Sequence, residues 1–473
     1  MTEAAAVPRA EPDARGPDAT GAGGRIARGL AANIGGIGVT LAIQLVSVPV
    51  FLAAWGVHTY GEWLVLSAVP TYVALSDLSF SSVAGNSMVM LEAAGKRQDA
   101  ITLGRRLWSI VTVMTGIAVL AAVAIALVFG GAFGSTAAIP ASEAKIVLVA
   151  LFLQVAVGNQ YGVLDAWYRA GGRYPLGATM RQIGRLLEFG ALIGVVLIGV
   201  RPGAAAIAFL AGSAAGFSVS WVVLKRTVPW STFRLEQPHL LTVRELLAPG
   251  VAYMAFPIGN ALSLQGLTIV VGGTLGVAAV VVFSTTRTLT RVVLQAMSSI
   301  NSAIWPELSR SVGSDRVDEA RAILRRATQV SLAVSLSLIV LLALLGPSII
   351  RSWTHGIVDP PRELLYVLLL VVVGNSVSNT LATVLYATNQ HKRLAMVYLL
   401  GVVVAVLAAI PLSTALGLPG TAMALLLIEA GMIVYVLPAA LRVVEDRPGP
   451  FLRSALNVRE TIRAAKSSLA PWT

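Results

Sequence analysis

An all-α integral membrane protein of about twelve transmembrane helices is the fold this sequence predicts, on three observations. Hydrophobic residues make up 56% of the 473 and charged residues only 12%, more apolar surface than a soluble domain of this length hides. The apolar residues come in runs of roughly 20, enough to cross a bilayer as a helix. The connections between runs alternate between basic and nearly uncharged.

Twelve spans follow in order, at 30–54, 63–84, 107–130, 144–168, 183–200, 203–224, 248–272, 275–304, 327–350, 362–388, 394–414 and 418–441. The N-terminus, every second connection and the tail carry 29 of the 35 basic residues, among them Lys96, Arg97, Lys225, Arg226, Lys392 and Arg393. The opposite side carries Lys145, Arg201, Arg351 and Arg362. Basic loops stay in the cytoplasm, so both termini are expected there. Prolines inside the spans (Pro49, Pro70, Pro257, Pro411 and Pro438) favour kinks.

The halves resemble one another. Val157-Gly158-Asn159 in span four matches Val373-Gly374-Asn375 in span ten, Tyr168 pairs with Tyr386, and Gly56-Val57 matches Gly276-Val277. Six spans followed by six in the same orientation predict two six-helix lobes related by a parallel pseudo-twofold, with a substrate cavity between them. The expected organisation is a disordered cytoplasmic N-terminus (1–24), an N-lobe (25–226), a cytoplasmic interfacial linker (227–247), a C-lobe (248–442) and a cytoplasmic amphipathic tail (443–473). The linker, with Trp230 and Phe233, and the tail from Phe451 are expected to lie on the membrane surface.

Span eight holds the most informative residues. At about 1.5 Å rise per residue, Arg287 falls roughly 17 Å below the start of its run, near the midplane. A charge there costs about 2.5–3.5 kcal/mol on insertion scales, so it should face protein or a wet cavity. Ser284, Arg287, Arg291, Gln295, Ser298 and Ser302 share one stripe at helical period, opposite Val282, Leu289, Val293 and Ile300. Span one has Asn33, Thr40, Gln44 and Ser47 on one face; span four has Gln154, Gly158, Tyr161, Asp165 and Tyr168; span ten has Asn375, Ser378, Asn379, Tyr386 and Asn389. Such stripes either line a cavity or join helices.

Several function classes are excluded. The basic residues punctuate hydrophobic runs instead of clustering on a soluble module, which argues against nucleic acid as a partner. The chain has no cysteine, so disulfides and thiolate metal sites are absent. Its four histidines are scattered, and neither a phosphate-binding loop nor a metal or nucleophile motif is present. No catalytic residue, metal or cofactor is expected, apart from coupling to protons or sodium.

Around span two, Tyr60-Gly61-Glu62-Trp63 followed by Asp77-Leu78-Ser79-Phe80 resembles the opening of the O-antigen type oligosaccharide flippases. These are polysaccharide biosynthesis transporters of the multidrug/oligosaccharidyl-lipid/polysaccharide exporter (MOP) superfamily. Ser79 departs from the family's glycine. Arg244–Gly250 resembles the family's lead into span seven, and a looser likeness extends from about Arg25 to Arg442. The resemblance implies alternating access between two lobes of a bacterial inner membrane protein. It also implies transfer of a lipid-diphosphate-linked oligosaccharide to the outer leaflet for surface polysaccharide biosynthesis. Expected partners are that cargo and membrane lipids, with a glycan polymerase or glycosyltransferases alongside.

Arg287 and Arg291 are the candidate anion site, because the guanidinium fork suits oxyanions. Ser284, Gln295, Gln44, Asn33, Asn375 and Asn379 are candidate substrate contacts. Glu429, in the middle of span twelve, is a candidate carrier of a coupling proton or a structural partner for either arginine. Asp77 is the second candidate for ion coupling. Asp165 with Arg169, and Glu188 with Arg181 and Arg185, read as interfacial ion pairs. A cation-coupled multidrug exporter of the same superfamily and a membrane glycan polymerase or ligase are the alternatives.

Overall fold

The structure, a computed structural model, describes residues 19–77, 80–133, 138–236, 254–388 and 390–455. Helix α1 runs Ala19–Ala68 and contains span one and the start of span two. Short α2 (Pro70–Val73), a 3₁₀ turn (Ala74–Asp77) and α3 (Phe80–Ala93) complete span two, which is broken at Pro70. The N-half continues with α4 (Arg97–Phe133), α5 (Ala141–Ala170), α6 (Tyr174–Leu197) and α7 (Pro202–Thr227). The C-half comprises α8 (Met254–Leu275), α9 (Val277–Gly313), α10 (Val317–Trp353), α11 (Arg362–Ala387) and α12 (His391–Val443), followed by α13 (Pro448–Ala455).

Over the described residues the predicted spans are helical. Spans one and two are separated by the non-helical Gly56 (φ 70°, ψ 179°). Spans eleven and twelve are separated in the same way by Gly417 (φ 66°, ψ −146°). Gly276 separates α8 from α9 with φ 87° and ψ 168°, nearly the conformation of Gly56. Positive φ favours glycine, so the Gly56-Val57 and Gly276-Val277 match is the same reversal made once in each half.

Helix ends follow from the local sequence. Pro202 opens α7 where its missing N–H costs nothing. Glu143, Asp318, Glu319 and Glu363 lie in first turns, and Lys225, Arg226 and Arg442 in last turns, as the helix dipole favours.

Within the N-half, α5 packs on α4 and α7, and α6 on α7; within the C-half, α9, α10 and α11 pack together and α11 lies on α12. The halves meet where α1 lies against α8 and α9. One apolar core crosses this seam, joining Phe51, Leu52, Trp63 and Leu66 to Val281, Leu289, Val293 and Leu342. Phe51 stacks on Tyr60 with centroids 5.3 Å apart, and Trp55 lies 5.3 Å from Trp63, contacts worth about 0.5–1.5 kcal/mol each beyond area burial. Glu62, from the Tyr-Gly-Glu-Trp motif, is 4% exposed and accepts the backbone N–H of Ala138 at 3.2 Å and of Ile139 at 2.6 Å. It ties the reversal after span one to the chain leading into α5.

Two segments expected at the membrane surface make contacts with the bundle. Trp230 and Phe233 pack on aromatic rings of the N-half. Trp230 meets Trp167 edge-on at 5.4 Å, and Phe233 stacks on Trp221 at 4.4 Å. Arg105 Nε fixes this segment by donating to Thr232 Oγ1 at 2.9 Å. The tail likewise docks: Phe451 is 2% exposed, and Gln329 Nε2 donates to the Ser454 carbonyl at 2.9 Å. The rest of the linker and tail lies outside the described residues.

Candidate functional site

A cavity of about 510 Å³ opens among α8, α9, α11 and α12. It lies wholly within the C-half and not between the lobes, where the sequence placed it. Beside it the apolar core described above bridges α1 to α9, and the polar faces of α9 and α11 enclose space within their own half. The volume is typical of a small-molecule site.

The stripe on α9 forms one wall. Arg287, Thr290, Arg291, Gln295, Ser298 and Asn301 line the cavity in register, and Trp305 follows a turn later. Arg287 sits against the ring of Phe283, its guanidinium carbon 5.0 Å from the centroid, a cation–π contact. Its Nη2 donates to Thr268 Oγ1 at 3.3 Å, whereas Nη1 is buried without a hydrogen-bond partner. Arg291 is exposed. Among the described residues, neither arginine forms an ion pair with a carboxylate. A buried donor of this kind is costly to leave empty, which marks it as ready for an acceptor.

The facing wall is built by α11 and α12. Asn375 Nδ2 donates to Glu429 Oε1 at 2.9 Å, and Ser378 Oγ donates to Glu429 Oε2 at 2.8 Å. Asn379 Nδ2 donates in turn to Asn375 Oδ1 at 2.7 Å. Glu429 is 7% exposed. A Cβ at Gly374 would lie 2.8 Å from that of Glu429, so glycine at 374 is what lets α11 approach α12 here. The structural-partner expectation for Glu429 is corrected accordingly: neutral amide and hydroxyl donors hold it, not Arg287 or Arg291. The cavity therefore carries two cations and one carboxyl group, lined further by Asn260 and Ser263 and by the aromatic rings of Phe256, Trp305, Tyr386 and Tyr398.

Of the predicted contacts, Arg287, Arg291, Gln295, Asn375, Asn379 and Glu429 are brought together here. Ser284 shares the face of Arg287 but is not among the lining residues, because the cavity ends at Arg287. Gln44 is half-buried and lines no part of it. Earlier on its helix Thr40 and Gly36 face α6: Arg185 Nη1 donates to Thr40 Oγ1 at 2.9 Å, and Gly36 abuts Gln182. The side chains of Asn33 and Asp77, and Asn389 entirely, lie outside the described residues.

The span-four stripe also joins helices. Tyr168 donates to the Ser220 carbonyl at 2.8 Å, and Tyr161 fits against Gly184 and Gly216. Asp165 pairs with Arg181 across helices, not with Arg169 one turn on, and Gln154 donates to Glu188. The sequence reading missed Asn260, Ser263, Thr290, Asn301, Phe256, Trp305 and Tyr398, whereas Tyr386 belongs to the stripe it picked out on span ten. Asn301 and Trp305 continue the α9 stripe, so periodicity alone could have found them.

Residues 260–411 match the MatE family model, a segment that contains most of the cavity. No curated protein matches the chain by sequence. Among solved structures, an inward-facing multidrug resistance MATE family transporter of the MOP superfamily superposes with a TM-score of 0.70 at 13% identity, covering 85% of this chain and 94% of that one. The lipid II flippase MurJ in an inward closed conformation gives 0.66 at 16% identity, covering 90% of each chain. The Vibrio cholerae MATE transporter VcmN in its bent form gives 0.57 at 16% identity, over 90% of this chain and 98% of that one. The chain is a multi-pass, all-helical membrane protein whose fold is similar to that of the MATE transporters and of MurJ.

Proposed function

We propose that this protein is an alternating-access flippase that moves a lipid-diphosphate-linked oligosaccharide across a bacterial inner membrane for surface polysaccharide biosynthesis. Both termini would be cytoplasmic, and the cargo would pass from the cytoplasmic to the outer leaflet. One observation supports this above the others: Arg287 and Arg291 enter a cavity with no carboxylate paired to them, and Arg287 keeps a buried nitrogen unpartnered. A diphosphate or acidic sugar supplies the oxygens that such a site lacks. The amides of Gln295, Asn375 and Asn379 suit sugar hydroxyls. Deletion should leave lipid-linked repeat units facing the cytoplasm; a deletion strain with normal surface glycan would sink the reading.

A second reading has its own support. Glu429 lies in the same cavity, free of either arginine and held only by neutral donors, an arrangement that suits a coupling proton or a cationic substrate. A multidrug exporter built on this chain should confer drug resistance when overproduced, which the flippase reading does not expect.

A further inference from the structure

Helix α12 doubles back at Gly417, which brings its first turn and its last turns to the same end of the molecule. Between them lies a second cavity of about 580 Å³, which shares no lining residue with the Arg287 cavity. Lys392 and Arg393 line it from the first turn and Arg442 from the last. No acidic residue is among the described residues that line it. All three cations are exposed, and among the described residues none forms an ion pair. Many basic residues at this end do, including Arg97 with Glu92, Arg310 with Glu307 and Arg325 with Asp446.

Two more features point to the ligand. The N-cap residue Gln390 makes no side-chain capping hydrogen bond, so the positive end of the helix dipole adds to the charge of the cavity. From Lys392 along the same helix face, Met396, Leu400 and Leu407 form an apolar column, 62%, 65% and 62% exposed. On the returning segment, Tyr435, Ala439 and Val443 line the cavity at four-residue spacing. Cations thus crown an apolar surface that runs along a membrane span.

We propose that this cavity binds the phosphate of an anionic phospholipid, with Lys392, Arg393 and Arg442 on the headgroup and an acyl chain along Met396, Leu400 and Leu407. A free phosphate would use the cations alone, whereas a phospholipid also meets the apolar column beside them. Basic pockets between membrane helices bind acidic headgroups through the same charge complementarity. The inference is independent of the transported cargo.

The test uses the full chain, purified in nonionic detergent and titrated with phosphatidylglycerol, phosphatidylcholine or inorganic phosphate. Thermal unfolding and the lipids retained in native mass spectrometry are the readouts. Phosphatidylglycerol should raise the unfolding midpoint more than phosphatidylcholine does, and high salt should erase the difference. The triple variant Lys392→Gln, Arg393→Gln, Arg442→Gln should lose about a hundredfold in apparent affinity for phosphatidylglycerol, from about fivefold per cation, with the phosphatidylcholine response unchanged. Equal responses to the two lipids in the unsubstituted protein, or full retention of phosphatidylglycerol by the variant, overturn the proposal. So does a full shift from inorganic phosphate alone. If the variant does not fold, the lipid comparison and its salt dependence in the unsubstituted protein decide the matter.

Discussion

The indole nitrogen of Trp353 donates to the carbonyl oxygen of Leu45 at 2.6 Å, joining the last residue of α10 to α1 across 308 positions of chain. It stitches the seam between the halves that the Phe51 and Leu289 core fills. A machine that works by rocking its halves must break such contacts.

Trp353→Phe keeps an aromatic ring and removes the donor, at a cost of about 0.5–1.5 kcal/mol. The unfolding midpoint in detergent should fall slightly. Because the chain has no cysteine, a single one introduced by Val293→Cys, in the apolar core that crosses the seam, reports its opening. Its labelling should be faster when combined with Trp353→Phe; an unchanged rate would mean that the bond does not hold the halves together.

Arg287→Gln removes the charge while retaining a polar side chain. A hydrogen bond to a charged group contributes about 1.5–3 kcal/mol, so transport of an anionic cargo should fall ten- to hundredfold in reconstituted vesicles. The exposed Arg291, changed to Gln, should cost less. The amount of membrane-inserted protein should be unaltered in both, since neither arginine takes part in an ion pair among the described residues. Equal transport by the Arg287→Gln variant would remove the arginine from cargo binding.

How much of this could be read beforehand depends on range. Span positions were legible because apolar length is local, and the repeat because Gly56 and Gly276 need the same unusual backbone. The α9 wall was legible because 3.6-residue periodicity aligns Arg287, Arg291 and Gln295. What faced that wall was not. Whether the stripe on α1 or the one on α11 met it depends on helix packing, and Thr40 went to Arg185 while Asn375 turned to Glu429. Nor could spacing show that Trp230 would pack on Trp167, 63 positions away in sequence but adjacent in space.

Glu429 should be probed in two ways. Glu429→Ala strands the donors of Asn375 and Ser378, which costs about 1–3 kcal/mol for each buried group left unsatisfied, and the variant should express poorly. Glu429→Gln keeps the volume but cannot ionise. If this carboxyl group carries a coupling proton, the Glu429→Gln variant should fold and lose the response of transport to an imposed pH gradient. A retained response would assign Glu429 to structure. Gly374→Ala, which forces a methyl group into the Glu429 side chain, should destabilise by about 1–3 kcal/mol through overpacking.

Asp446, beyond the end of α12, makes a two-pronged contact with Arg325, from Nε to Oδ2 at 2.7 Å and from Nη2 to Oδ1 at 2.6 Å. Arg321 adds donations to the Val444 and Glu445 carbonyls at 3.1 and 3.0 Å. Burial works against the carboxylate, but the hydrogen bonds from Arg325 and the backbone N–H of Arg447, with the charges of Arg325 and Arg321, outweigh it and hold Asp446 below its ordinary value. A carboxyl group whose folded value is depressed contributes its full stabilisation above the unfolded value, about 3.9 for Asp, and loses it as pH falls through the folded value. Docking of α13 should therefore be insensitive to pH from neutrality down to about 5 and weaken only in stronger acid. Asp446→Asn should loosen the tail at neutral pH, seen as faster tryptic cleavage at Arg447 and Arg453, and should abolish the acid-dependent step measured by hydrogen exchange in α13. Persistence of that step in the Asp446→Asn variant would assign it to another group.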